Sequence, residues 1–108
     1  MRILIIGAGI GGLTTALSLH AAGFRPVVCE AVARPAPLGV GINLLPHATR
    51  ELTALGLLGD VQALGVDIGE LVYLTRHGRE IWREPRGLAA GYAWPQIAIH
   101  RGRLQMML

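Results

Sequence analysis

The stretch Arg2-Ile3-Leu4-Ile5-Ile6-Gly7-Ala8-Gly9-Ile10-Gly11-Gly12 decides the fold. An apolar run enters a Gly-x-Gly-x-x-Gly turn, and a segment of helical periodicity continues to Ala22. Val27-Val28-Cys29-Glu30 is a second apolar run that ends in an acid. Strand, glycine turn, helix, strand and acid in that order form a βαβ unit with the dinucleotide-binding fingerprint. Gly7 lets the chain turn sharply out of the first strand. Gly9 has no Cβ, so the backbone can approach a pyrophosphate, and Gly12 lets the helix pack closely on the strand. The helix start, with Ile10 and Gly11 in the same turn, directs unpaired N–H groups and the positive dipole end at phosphates. Glu30 follows Gly12 by eighteen positions, near the spacing of roughly twenty for an acid that accepts from a ribose. A carboxylate there repels a 2′-phosphate, so this first site reads as one for FAD or NAD.

A rival reading takes residues 3–19, which carry no charge and follow Arg2, as a signal peptide ahead of Ala21-Ala22. Four glycines within six residues would weaken an apolar signal helix. That reading also leaves Val27 to Glu30 without a purpose. The chain therefore reads as cytoplasmic, and no run reaches membrane-spanning length once the glycines interrupt it.

At 108 residues the chain amounts to one small domain at most. It is 52% hydrophobic with mean hydropathy +0.46, so few charges exist to cover its outside and apolar faces are expected to meet further structure. The net charge of +3 comes from ten arginines and no lysine. They are scattered without interleaved aromatics, which argues against a nucleic-acid surface. The single cysteine, Cys29, supports neither a disulfide framework nor a metal site. It is expected as a small buried hydrophobe in a reducing compartment.

Taken in order, Arg2 to Ile6 is expected as a central parallel strand buried on both faces. A helix from about Ile10 to Ala22 turns Ile10, Leu13, Leu17 and Ala21 to the sheet. His20 near its end caps the helix or faces water, and Gly23 stops it. Ala31 to Leu38 is a proline-punctuated loop. Leu38 to Leu44 is glycine-spaced and extended. A helix starts at Pro46, with Ala48, Leu52 and Leu55 on one side, and a shorter helical piece covers about Leu57 to Leu64. Leu71 to Leu74 and Ile81-Trp82 flank a glycine turn as a hairpin, with Tyr73 and Trp82 paired across it. Glu84 to Gly87 reads as a second turn and 88–95 as irregular. Gln96 to His100 is a short strand, and a helix opens at Arg101. The periodicity still runs at Leu108, so the chain is expected to be the N-terminal part of a longer protein.

Several stretches together resemble the single-component FAD-dependent aromatic-ring monooxygenases, the family of salicylate and p-hydroxybenzoate hydroxylases. They are Gly7 to Leu13 with Glu30; Gly39-Val40-Gly41-Ile42-Asn43 with Pro46 and Leu52; Leu55-Gly56-Leu57; and His100-Arg101-Gly102-Arg103-Leu104. Within the family, Leu38 to Pro46, Glu84 to Gly87 and Ile99 to Leu108 are most similar to a phenazine-modifying member. The resemblance implies an α/β fold with a Rossmann-like βαβ FAD-binding unit of the glutathione-reductase type, plus the start of a substrate region containing a β-hairpin. Residues 1–108 would be the N-terminal part of an FAD-binding domain, with about 67–95 as a hairpin and loop excursion.

The resemblance also implies roles. Gly7, Gly9, Ile10, Gly11 and Gly12 would line the FAD pyrophosphate, and Glu30, followed by Ala31, would hold the adenosine ribose. Gly41 and Ile42 would lie near the isoalloxazine, and Arg101 would reach the ribityl–phosphate region, where forked donors suit a polar chain. Arg34 reads as a solvated loop residue. The family chemistry uses NAD(P)H to reduce FAD and O₂ to form a flavin C4a-hydroperoxide that hydroxylates a small aromatic substrate. No catalytic side chain and no metal ligand set is expected in these residues, so the segment alone would be inactive. Two other readings stay open: an NAD-dependent dehydrogenase, which leaves Leu38 to Pro46 and the hairpin unexplained, and a non-catalytic interaction module.

Overall fold

The computed structural model describes all residues from Met1 to Leu108. It contains seven strands and four α-helices: β1 (Leu4–Ile6), α1 (Ile10–Ala21), β2 (Val27–Cys29), β3 (Gly41–Leu44), α2 (Pro46–Ala54), α3 (Leu58–Leu64), β4 (Val66–Ile68), β5 (Glu70–Leu74), β6 (Glu80–Pro85), β7 (Gln96–His100) and α4 (Arg101–Met107). Two compact units result: Met1–Val40 with His100–Leu108, and Gly41–Ile99. The hairpin expected over 67–95 is nested within the second of these.

The first unit is the βαβ motif. β1 and β2 are parallel, with Leu4, Ile5 and Ile6 opposite Val27, Val28 and Cys29. The pairing continues on both sides through Val27 N–H to the Ile3 carbonyl at 2.9 Å and Gly7 N–H to the Cys29 carbonyl at 2.7 Å. Side chains alternate across a strand, so Ile5 and Val28 are half-buried on one face. The opposite face is open: Leu4 is 61% and Ile6 78% exposed. Within residues 1–108, α1 packs on both strands and leaves the other face of β1 uncovered. Cys29 follows the same alternation and is exposed, against the expectation of a buried thiol. On α1, Ile10, Leu13 and Leu17 are half-buried as the periodicity requires, while Ala21 is exposed. α1 ends where Gly23 takes φ +87°, and its N–H returns to the His20 carbonyl at 2.9 Å.

α4 packs beside α1. Leu104 on it is fully buried, which stabilises the unit by about 1.5–3 kcal/mol relative to leaving the side chain in water. Gly102 is buried too, and a Cβ there would overlap the backbone of Pro37 and Leu38. The close approach of the Pro37–Leu38 segment to α4 therefore depends on glycine at that position.

The second unit holds a three-stranded sheet in the order β3-β7-β4 and the separate β5–β6 hairpin. β4 runs antiparallel to β7, with Asp67 opposite Ile97. Leu44, Leu52, Val61, Ile97 and Ile99 form its buried apolar set. Thr49 is fully buried among the residues of α2; its hydroxyl donates to the Pro95 carbonyl at 2.7 Å, which ties α2 to the segment entering β7. The hairpin pairs Tyr73 with Trp82 as expected, but both rings are more than half exposed. Gly78 supplies the positive φ of its turn. β6 runs to Pro85, so Glu84 and Pro85 continue a strand where a turn was expected. The chain changes direction at Gly87 (φ +55°) and makes a 3₁₀ turn over Gly87–Ala90.

Candidate cofactor-binding site

The glycine turn between β1 and α1 gathers the predicted residues Gly7, Gly9, Ile10, Gly11, Gly12, Glu30 and Ala31 within the first unit, and its glycines are required for different reasons. Gly7 has φ +101°, a left-handed conformation that side-chain-bearing residues rarely take. Gly12 faces Gly7: a Cβ on Gly12 would overlap the Gly7 carbonyl oxygen and come within 3.4 Å of the Ile5 Cγ2. Gly9 is unlike both. Its φ of −70° and ψ of 178° suit any residue, and nothing lies within 4 Å of where its Cβ would be. The packing of residues 1–108 gives no reason for glycine at position 9, and the space beside it is open.

The helix start is equally unfilled. α1 has no side-chain cap and no acid in its first turn. The N–H of Leu13 is the first in the helix to find an acceptor, the Gly9 carbonyl at 2.9 Å. The preceding N–H groups of α1 stay free, as at any helix N-terminus without a cap, and with the dipole they favour an anion there.

Glu30 closes one side of this turn. Its Oε2 accepts from the Ala8 N–H at 2.7 Å and its Oε1 from the Val32 N–H at 2.9 Å. Hydrogen bonds from the backbone of Val32, Ala8 and Ala31 hold its carboxyl below the usual carboxylate range. It is therefore ionised at neutral pH, and its remaining lone pairs are available to hydroxyl donors.

Arg101 opens α4. Its N–H donates to the Val40 carbonyl at 2.9 Å, and its stem and guanidinium run past Gly39, at 3.5–3.6 Å from where a Cβ would stand. The side chain is exposed and in no ion pair. One turn on, Gln105 Nε2 donates to the Ala8 carbonyl at 2.9 Å. Residues four apart share a helix face, so Arg101 lies on the side of α4 that meets the glycine turn. Sequence reasoning missed Gln105; its place one turn after Arg101 was the available signal. The other two predicted residues stand on β3 in the second unit, Gly41 exposed and Ile42 half-buried.

The second unit has a hollow of about 310 Å³ that includes His47, Arg50, Arg86, Tyr92 and Trp94 in its lining. Arg50 lies 5.8 Å from the centre of the Trp94 ring. Both arginines are already paired, Arg50 with Glu51 at 2.7 Å and Arg86 with Glu84. The pairing of Arg86 is incomplete, since its Nε is buried without a hydrogen-bond partner.

Comparison with known proteins agrees with the geometry of the turn. A family model described as FAD binding domain matches residues 1–100. The chain is 58% identical over 107 residues to phenazine 1,6-dicarboxylic acid hydroxylase of Lysobacter antibioticus, covering 98% of this chain and 26% of that protein. It is 37% identical over 109 residues to the aurachin C monooxygenase/isomerase of Stigmatella aurantiaca, covering 100% of this chain and 28% of the relative. Among solved structures, HpxO of Klebsiella pneumoniae complexed with FAD and uric acid is similar with a TM-score of 0.81 and 27% identity, over 99% of this chain and 27% of that one. The chain spans about a quarter of the length of the relatives it matches.

Proposed function

Because the chain belongs to the FAD-binding domain family of aromatic-ring monooxygenases, we propose that it forms the adenosine-diphosphate end of the FAD site in a flavin hydroxylase acting on a small aromatic carboxylate of the phenazine or salicylate kind. The observation that carries this reading is Gly9, a glycine with ordinary dihedrals and no protein neighbour, placed at a helix start that holds no acid of its own. The NAD-dependent dehydrogenase considered from sequence gives way to the family match, which extends through Leu38 to Pro46 and the hairpin.

In this reading Gly7 sets the turn, Gly9 admits the pyrophosphate, and the N–H groups of Ile10, Gly11 and Gly12 face its oxygens. Gly12 keeps α1 against the turn. Glu30 accepts from the adenosine ribose hydroxyls, with Ala31 beside it, and Arg101 donates to the ribityl–phosphate region. Gly41 and Ile42 are assigned to the isoalloxazine end by resemblance. When bound, FAD supplies the redox and oxygen chemistry, with NAD(P)H as reductant and O₂ as oxygen source. These residues contribute binding, orientation and charge.

The test is the intact protein's absorption spectrum and its NAD(P)H oxidation. Bound flavin, and oxidation stimulated by phenazine carboxylates or by salicylate, are expected. A preparation that is colourless and takes up no added FAD refutes the reading. Flavin uptake without stimulation by any aromatic carboxylate refutes the substrate class alone. Arg101→Ala is expected to weaken FAD retention by about 1.5–3 kcal/mol, the range for a hydrogen bond to a charged group.

A further inference from the structure

Gln105 and Glu30 make the two side-chain bonds that reach the glycine turn from distant parts of the chain, and they act on different peptide planes. Glu30 binds the N–H of the Gly7–Ala8 peptide. Gln105 binds the carbonyl of the next one, Ala8–Gly9. That peptide is trans, so its C=O and N–H point in opposite directions. An Ala8 carbonyl drawn toward Gln105 on α4 turns the Gly9 N–H the other way, and this N–H has no backbone acceptor in the protein. Glycine at position 9 places little steric restraint on rotation of this plane. A flipped plane would offer a carbonyl oxygen to an incoming anion in place of an N–H. Gln105 itself has little freedom, since its helix is anchored by buried Leu104 and by buried Gly102 against Leu38.

We infer that Gln105 is a positioning residue for the dinucleotide's diphosphate: it fixes the Ala8–Gly9 peptide with the Gly9 N–H turned toward the anion. This rests on the FAD reading above. The ribose contact is independent of it, because Glu30 is held through the preceding plane.

Two substitutions in the intact protein test it. Gln105→Met keeps the length and loses the donor; Gln105→Glu keeps the shape and sets a carboxylate against the carbonyl. Affinities of the flavin-free protein for FAD, ADP and adenosine are measured by titration calorimetry. For Gln105→Met, FAD and ADP are expected to bind about three- to ten-fold more weakly, the loss of one net hydrogen bond. Gln105→Glu should weaken both further, while adenosine binds all three proteins alike. Wild-type ADP affinity in Gln105→Met overturns the inference. An equal loss for adenosine and ADP overturns it as well, since that pattern marks a general loosening of the unit. If the unaltered protein binds neither FAD nor ADP, the FAD reading fails and the inference falls with it, an outcome recognisable before any variant is made.

Discussion

Replacing Gly9 and Gly12 by alanine, one at a time, separates a glycine kept for a ligand from one kept for the fold. At Gly12 the new methyl meets the Gly7 carbonyl oxygen, with the Gly7 carbonyl carbon at 3.1 Å. Those atoms are backbone and cannot swing aside, so the whole turn between β1 and α1 has to move. Such overpacking costs about 1–3 kcal/mol, partly offset by the roughly 1 kcal/mol by which alanine outperforms glycine inside a helix. A net loss of up to about 2 kcal/mol of stability is expected, together with weaker FAD binding. At Gly9 the methyl meets nothing and the dihedrals are already those of an ordinary residue. The flavin-free protein should then be unchanged or stabilised by about 0.4–1 kcal/mol, through a less flexible unfolded chain. The same methyl intrudes where the pyrophosphate would lie, so FAD affinity should fall by at least about tenfold, an overpacking penalty transferred to the complex. Denaturant melts of the flavin-free proteins and flavin-fluorescence titrations read the two effects separately. If Gly9→Ala destabilises the flavin-free protein as much as Gly12→Ala does, or binds FAD as tightly as wild type, the reasoning about Gly9 is wrong.

Three further outcomes follow from contacts elsewhere. Glu30 has a folded pKa below its unfolded value, so its stabilising contribution is present above the ordinary carboxylate pKa of 4.5 and is lost as pH falls through the folded value. Acid titration of stability should accordingly be steeper below about pH 4.5 in wild type than in Glu30→Gln, and parallel curves would contradict the assignment. Gly102→Ala should cost about 1–3 kcal/mol in chemical denaturation, because its Cβ would strike the Pro37 and Leu38 backbone. Thr49→Val should cost about 1–3 kcal/mol by leaving the buried Pro95 carbonyl without its donor; urea midpoints at unchanged slope would measure it.

The parts of this fold that were legible in the sequence are those whose signal is local. Gly7 to Gly12 combines turn geometry and a helix start in six positions, so the βαβ unit and the acid that follows it are readable from the sequence alone. Pro46 at a helix start and Gly78 in a hairpin turn are similarly self-contained. What was not legible depends on partners distant in the chain. Thr49 looks like an ordinary helix-surface residue until Pro95 arrives beside it, 46 positions later. Gln105 acquires its role from a carbonyl 97 positions earlier. β4 is only three residues long, too short for alternation to register, and becomes a strand because β7 pairs with it. Leu4, Ile6 and Cys29 are exposed within residues 1–108, because an apolar run reports how a strand can be buried, not how many layers these residues alone supply.

Glu30 also bears on the speed with which a nucleotide could settle. A free glutamate on a loop must give up its rotamers when a ribose arrives, and that loss of entropy would set against the hydroxyl contacts. Here both carboxylate oxygens are already tied, to Ala8 and to Val32. The side chain has been ordered by folding, so in the proposed FAD site a ribose would meet a fixed pair of acceptors instead of a searching one. Binding of the adenosine end should therefore resemble docking onto a rigid edge, with most of the conformational adjustment left to the flexible ribityl half of the ligand.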